Sequence, residues 1–421
     1  MRPNQKQIRK TFVYLLMLTL PGLFATGVLA EEKGATAFQP DAETEIWVLA
    51  GQSNMVGCGK RTKEFEPDPR IWLFNMDNSW IPAVPPIHRI FESVAPVHRH
   101  IFWETDQMSE EDFLKRGATS KRSPLGGIGP GFFFAKHLLE SIDSKVGLVA
   151  SAHGGTTMKQ WDPSLKTKGD DSLYGATLDR VERVGGNIAG ILWYQGESEG
   201  MEPDAIPTYE ENFLRLIDSF REDTGIEDLP FILVQIGRWA VGNDPRGPSW
   251  ESAREIQRLM PHQRKNVFMT SAIDLPLDDQ IHLSMAGHER LGARLAEIAL
   301  SNVYGKEDHA SPIDLVGATV ENSESIRPLI HVKFEGVNGR LNSLGRPTGF
   351  EIRSMNGERA VPQPYAIEFD PENPSMLLLR LGKPLPLPAQ LIYGPGLDPY
   401  VNIVDEKDMP IPAFTCMIDG K

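Results

Sequence analysis

Ile46-Trp47-Val48-Leu49-Ala50-Gly51-Gln52-Ser53-Asn54-Met55 sets an unbroken apolar run directly before a glycine and a polar turn. Such a run, with branched and aromatic residues, predicts a strand buried on both faces, as in a parallel sheet covered by helices. Gly51 allows a tight turn, and Ser53 just beyond it can direct its hydroxyl into the cleft at the strand's end. Outward from this stretch the same grammar repeats. Residues 71–74, 146–152, 188–194, 231–236 and 267–272 read as further strands, while 132–141, 173–184, 209–222, 249–259 and 285–302 read as helices. This alternation from residue 45 to about 301 is the mark of an α/β domain.

Two stretches depart from it. Residues 88–124 are rich in His, Arg, Pro and acids without clear periodicity, and read as an insertion of the kind that can serve as a lid. Residues 305–312 are polar and suit a linker. Beyond them the period changes to two, with strands expected over 329–334, 349–353, 366–369, 376–381 and 390–393, separated by Gly, Pro and Asn. The expected organisation is therefore an α/β domain over 31–304 and a C-terminal β-sandwich over 312–421.

The first thirty residues stand apart. Arg2, Lys6, Arg9 and Lys10 precede an apolar run broken by Pro21 and Gly22, and Val28-Leu29-Ala30 offers compact residues before Glu31 and Glu32. This predicts a cleaved secretory signal over 1–30 and a secreted or periplasmic protein. Loss of those four basic residues takes the net charge from -14 to -18. So acidic a protein argues against nucleic acid as a partner. Cys58 and Cys416 could pair in an oxidising compartment if the fold brought them together. No Cys/His spacing suggests a metal site.

Four pieces of the α/β region follow predicted strands, at the sheet edge where open α/β folds bind ligands. Ser53, in Gly51-Gln52-Ser53-Asn54-Met55, is a candidate nucleophile, although a Ser-Asn pair there is also ordinary turn chemistry. His153-Gly154-Gly155-Thr156 could expose backbone N–H groups to a developing oxyanion, or could be a simple turn. In Trp193-Tyr194-Gln195-Gly196-Glu197-Ser198, Gln195 could donate to that same oxyanion and Glu197 could orient a base. In Asp278-Asp279-Gln280-Ile281-His282-Leu283-Ser284, Asp279 can fold back onto the His282 imidazole, leaving the other ring nitrogen for a serine proton. Ser284 is placed to cap the helix that follows. His288 reads as structural, and His88, His98 and His100 fall in the insertion.

In order and spacing these blocks resemble the SGNH hydrolases, specifically the carbohydrate-esterase branch that includes sialate O-acetylesterases and acetylxylan esterases. Gly129-Pro130-Gly131 and residues 254–257 add lesser similarities, and the tail around residues 393–396 and 410–414 is similar to large sialate O-acetylesterase-like proteins. The resemblance implies a flavodoxin-like three-layer α/β/α fold and removal of O-acetyl groups from a carbohydrate through an acetyl-enzyme. It assigns Ser53 as nucleophile, His282 as base, and Asp279, with Glu197 as the alternative, as the acid. The implied oxyanion hole is the N–H groups of Ser53 and of Gly154 or Gly155 with the Gln195 amide, and no cofactor or metal is required. Gln52, Asn54, Trp161 and Trp193 are the candidate substrate-binding residues. Two other readings share the pattern: a noncatalytic carbohydrate-binding protein on the same fold, and an SGNH lipase or thioesterase.

Overall fold

A computed structural model describes residues 38–106, 109, 111–112, 115, 126–242, 244–359 and 362–420. The expected signal over 1–30 lies outside these residues, as does most of 107–125.

Strand β1 (Thr44–Gly51) has hydrogen-bonded neighbours on both sides, as its unbroken apolar run requires: β4 (Lys145–Ala150) and β5 (Asn187–Tyr194), both parallel to it. With β2 (Ile71–Phe74), β3 (Trp80–Pro82), β6 (Phe231–Gln235) and β7 (Val267–Ser271) they form a seven-stranded sheet of order β3-β2-β4-β1-β5-β6-β7. Only β3 runs antiparallel. Its three residues end in a proline, which suits an edge and escapes a search for apolar runs.

Eight helices enter the account: α1 (Ser53–Val56), α2 (Pro96–Asp106), α3 (Gly131–Leu138), α4 (Leu173–Val184), α5 (Glu197–Met201), α6 (Ile206–Thr224), α7 (Gly247–Gln263) and α8 (Met285–Asn302). Ser284 caps α8 by accepting the Gly287 N–H at 3.2 Å. Helices α1 and α5 are single turns, too short for a 3.6-residue period to register. Helix α2 lies inside the expected insertion, and part of that segment packs into the core: His88, ahead of α2, and His98, on it, are each 1% exposed.

The C-terminal strands run in the order β11-β14-β16-β8-β9-β13-β12. Here β8 is Asp314–Glu321, β9 Leu329–Glu335, β11 Phe350–Ser354, β12 Ala366–Phe369, β13 Met376–Arg380, β14 Ala389–Tyr393 and β16 Phe414–Gly420; a short pair, β10 (Asn342–Ser343) and β15 (Ile403–Val404), lies apart. The first half of β16 pairs with β14 and the second half with β8, so one strand passes between two half-sheets, the usual way a β layer turns a corner.

Buried polar side chains join this region to the α/β sheet. Gln235 donates to Ala413 O at 2.8 Å and accepts the Ala413 N–H at 2.8 Å. Arg254, 1% exposed, donates to the carbonyls of Gly237, Gly394 and Gly396, and Arg294 bridges Asp274 and Asp408 O. Residues 38–421 accordingly form one compact unit. Cys58 and Cys416 do not form a disulfide with one another. Among the described residues no helix is long and apolar enough to cross a membrane.

Candidate active site

The central strands β4, β1 and β5 end side by side, which brings the first three sequence blocks together. Gln52 N–H donates to Tyr194 O at 2.8 Å and His153 N–H to Gly51 O at 3.0 Å, so these turns are stitched to one another as they leave the sheet. The Gln52 side chain adds to the stitching. Its Oε1 accepts the N–H groups of Gly196 and Ser198 at 3.3 and 3.4 Å, so Gln52, expected to touch substrate, instead ties two turns. Gly51 carries a φ of +125° with the Tyr194 backbone 2.2 Å from any added Cβ, so only glycine can enter this turn.

Ser53 opens α1 and is 8% exposed. Its Oγ lies 3.0 Å from His282 Nε2. On the far side of the ring, Nδ1 lies 2.9 Å from Asp279 Oδ2, while Asp279 Oδ1 accepts the N–H groups of Ile281 at 2.9 Å and His282 at 2.8 Å. An acceptor-only carboxylate at Nδ1 fixes the proton there, so Nε2 presents its lone pair to the serine hydroxyl. Partial burial pushes the Asp279 carboxyl upward, but the two backbone donors and the imidazole outweigh it and hold it at about 2. The loop closes on itself where Asp278 N–H donates to His282 O at 2.9 Å and Asp278 Oδ2 accepts the Lys60 N–H at 2.7 Å.

Asn54 bolts this loop in place. Its Oδ1 accepts the Leu283 N–H at 3.0 Å and its Nδ2 donates to Ile281 O at 3.3 Å, gripping the residues on either side of His282. The same Nδ2 donates to Glu197 Oε1 at 2.7 Å. Asn54 is 1% exposed, which places it under the cleft and not in it. Glu197, the alternative acid, has this contact with Asn54 and none with His282; burial pushes its carboxyl up to about 7, against the pull of the Asn54 hydrogen bond. The residue at the imidazole is Asp279.

Three further expectations are corrected. The Gln195 amide is fully buried, and its Nε2 donates to Thr156 O at 3.2 Å and to the Glu199 carboxylate, so it is committed inside the protein. Trp161 and Trp193 are fully buried and meet edge-to-face at 5.1 Å; Trp161 donates to Thr156 Oγ1. They are core supports of the second and third blocks, not walls of a pocket. Gly154 is half-buried and Gly155 exposed, with φ +69°, leaving the turn's backbone close to solvent.

Two residues that support the site were given no role in it by the sequence. Gln257 donates to Gln195 O at 2.8 Å and accepts the Ile236 N–H at 2.9 Å, holding the third block against β6; its place in the 254–257 stretch was the available hint. His98 reaches from α2 to His153, with Nδ1 to Nδ1 at 2.9 Å. Burial pushes His153 down to about 3 and His98 well below its ordinary value, so the pair is neutral. Among the described residues, no group of His, Cys, Asp and Glu is arranged to hold a metal ion.

The family model described as carbohydrate esterase, sialic acid-specific acetylesterase, matches residues 43–301, the whole span from β1 to α8. The chain belongs to this family. A probable carbohydrate esterase of Arabidopsis thaliana is 32% identical to it over 270 residues, covering 62% of this chain and 93% of that protein. Human sialate O-acetylesterase is 24% identical over 269 residues, covering 55% of this chain but 47% of its own length. A carbohydrate acetylesterase from Xanthomonas citri matches in structure with a TM-score of 0.62 at 19% identity, covering 88% of this chain and 80% of that one, which is a likeness of fold. The esterase is thus an enzyme acting on acetyl esters of carbohydrates, and Ser53, Asp279 and His282 all fall inside the matched segment.

Proposed function

We propose that the esterase works by a serine mechanism. The carrying observation is the run of contacts from Ser53 Oγ through the His282 ring to Asp279, at 3.0 and 2.9 Å. Ser53 Oγ attacks the acetyl carbonyl while His282 Nε2 takes its proton, and Asp279, ionised above about pH 2, stabilises the imidazolium that results. The tetrahedral oxyanion is met by backbone N–H groups of Ser53, which as the first residue of α1 has no N–H partner within the helix, and of Gly154 or Gly155. His282 then returns the proton to the departing sugar oxygen, leaving acetyl on Ser53. Water, deprotonated by His282, releases acetate and restores the serine. Each step uses only groups of this chain.

The substrate is an acetylated carbohydrate, either an O-acetyl sialic acid or an acetylated polysaccharide such as xylan. The basic and apolar run over residues 1–30 supports export to the periplasm or beyond. The test is acetate release from a panel of acetylated carbohydrates by the wild type and Ser53→Ala. Release that persists in the variant refutes the serine mechanism; release confined to the wild type supports it.

A further inference from the structure

A cavity of about 380 Å³ opens beside the second and third blocks. Its size falls within the range of small-molecule sites. One wall begins at Thr157, two residues past Gly155; the facing wall begins at Ser198, whose N–H donates to the side chain of Gln52, the neighbour of Ser53. The cavity therefore adjoins the turns that surround the serine.

Its lining is mixed in a particular way. Met158 and Tyr209, both buried, are bulky apolar and aromatic members of the lining. Thr157, Ser198, Thr208 and Asn212 add hydroxyl and amide groups to it. A pyranose has the matching character, with C–H faces and a rim of hydroxyl groups that both donate and accept. Charge narrows the choice. The exposed rim carries Glu202 and Asp204, and Lys159 is the single cation among the described lining residues. Carboxylates accept from sugar hydroxyls, whereas a carboxylate on the ligand would meet like charge.

We propose that this cavity is a subsite for a neutral sugar ring of the substrate, seated beside the acetylated position, so that the esterase prefers acetyl esters of neutral oligosaccharides to those of sialic acids. The inference rests on Ser53 being the reacting residue. It assigns Thr208, Asp204 and Glu202 to substrate binding, and none of them belongs to the catalytic machinery.

The experiment compares wild type, Thr208→Trp, which fills the cavity from an exposed position on helix α6, and Asp204→Ala, a milder change at an exposed position. Each is assayed on acetylated xylo-oligosaccharides, on O-acetylated sialic acid and on 4-nitrophenyl acetate, which has no ring for the subsite. The expected result is a KM for the oligosaccharides raised about tenfold or more by Thr208→Trp and several-fold by Asp204→Ala, with 4-nitrophenyl acetate turnover unchanged in both. The double variant Glu202→Gln/Asp204→Asn should narrow the preference for the neutral substrate. Equal losses on the oligosaccharide and on 4-nitrophenyl acetate, no loss on either, or a wild-type preference for the sialic acid would each overturn the proposal. Ser53→Ala keeps the two claims apart: 4-nitrophenyl acetate hydrolysis surviving in that variant refutes the serine mechanism itself, whatever the cavity variants do.

Discussion

Asn54→Ala would remove the bolt behind His282. Three hydrogen bonds disappear, to Leu283 N–H, Ile281 O and Glu197 Oε1. Glu197 decides how the loss depends on pH. Its folded pKa of about 7 lies above the ordinary glutamate value of 4.5, so the folded protein holds a proton that the unfolded chain has released, and stability falls as pH rises from about 4.5 through 7. The Asn54 hydrogen bond lowers that pKa, so the variant's would be higher still and its decline would extend to more alkaline pH. At pH 6 the carboxyl is largely protonated in both proteins, and three neutral bonds at about 1 kcal/mol each give a loss of about 3 kcal/mol. At pH 8.5 the wild type gains the charge-assisted bond and the variant does not, and the loss grows to about 4 kcal/mol. The freed loop would also let His282 drift from Ser53, lowering kcat on the order of a hundredfold for a displacement near 1 Å. Urea unfolding at both pH values and steady-state kinetics on 4-nitrophenyl acetate check this. A loss under 1 kcal/mol at both pH values, with kcat within threefold of wild type, would refute the role given to Asn54.

Other outcomes follow from the same contacts. His88, His153 and His288 are pushed by burial down to about 4, 3 and 3, and His98 also lies well below its ordinary value, so the unfolded chain gains protons before the fold does and stability is lost as pH falls below 6.5. Between pH 6.5 and 5 each contributes about 1.5 kcal/mol and Glu197 offsets about one of the four, so urea titrations should show a net loss on the order of 4 kcal/mol; a flat profile would contradict the neutral, buried histidines. Glu197→Gln should flatten the decline between pH 4.5 and 7 while keeping most activity, since Asp279 serves the imidazole; a loss of kcat as severe as that of Asp279→Ala would return Glu197 to the role of acid. Arg254→Ala strips the donors from the carbonyls of Gly237, Gly394 and Gly396 and should lower stability by about 3 kcal/mol or more in thermal or urea unfolding. Chelation with EDTA should leave acetate release unchanged, and restoration by an added divalent ion after its loss would contradict a metal-free mechanism.

The α/β sheet was legible because its strands are apolar on both faces, which leaves no ambiguity of period: residues 71–74 were bounded as observed, and the other parallel strands within two residues. That Ser53, Asp279 and His282 meet was legible from their places at strand ends and from the Asp-x-x-His spacing, which lets a loop carboxylate fold back on an imidazole. Burial was not legible. A tryptophan beside a motif can line a cleft or support the turn from behind, and local sequence is the same in both cases; Trp161 and Trp193 do the latter. Likewise Gln195 and Glu197 sit one position apart from their role-neutral neighbours, and only the partners supplied by Thr156, Glu199 and Asn54 show which way each side chain is turned. His98 belongs to a segment without periodicity, and its contact with His153 is a tertiary fact with no local signature.

The most direct measurement of the central claim is to mix the esterase with an acetylated substrate, quench in acid during turnover, and locate any covalent acetyl group by peptide mass spectrometry. The account predicts acetyl on Ser53 and its absence from Ser53→Ala. Acetate release with no acetyl on Ser53, or with acetyl on another residue that turns over at the same rate, would contradict it.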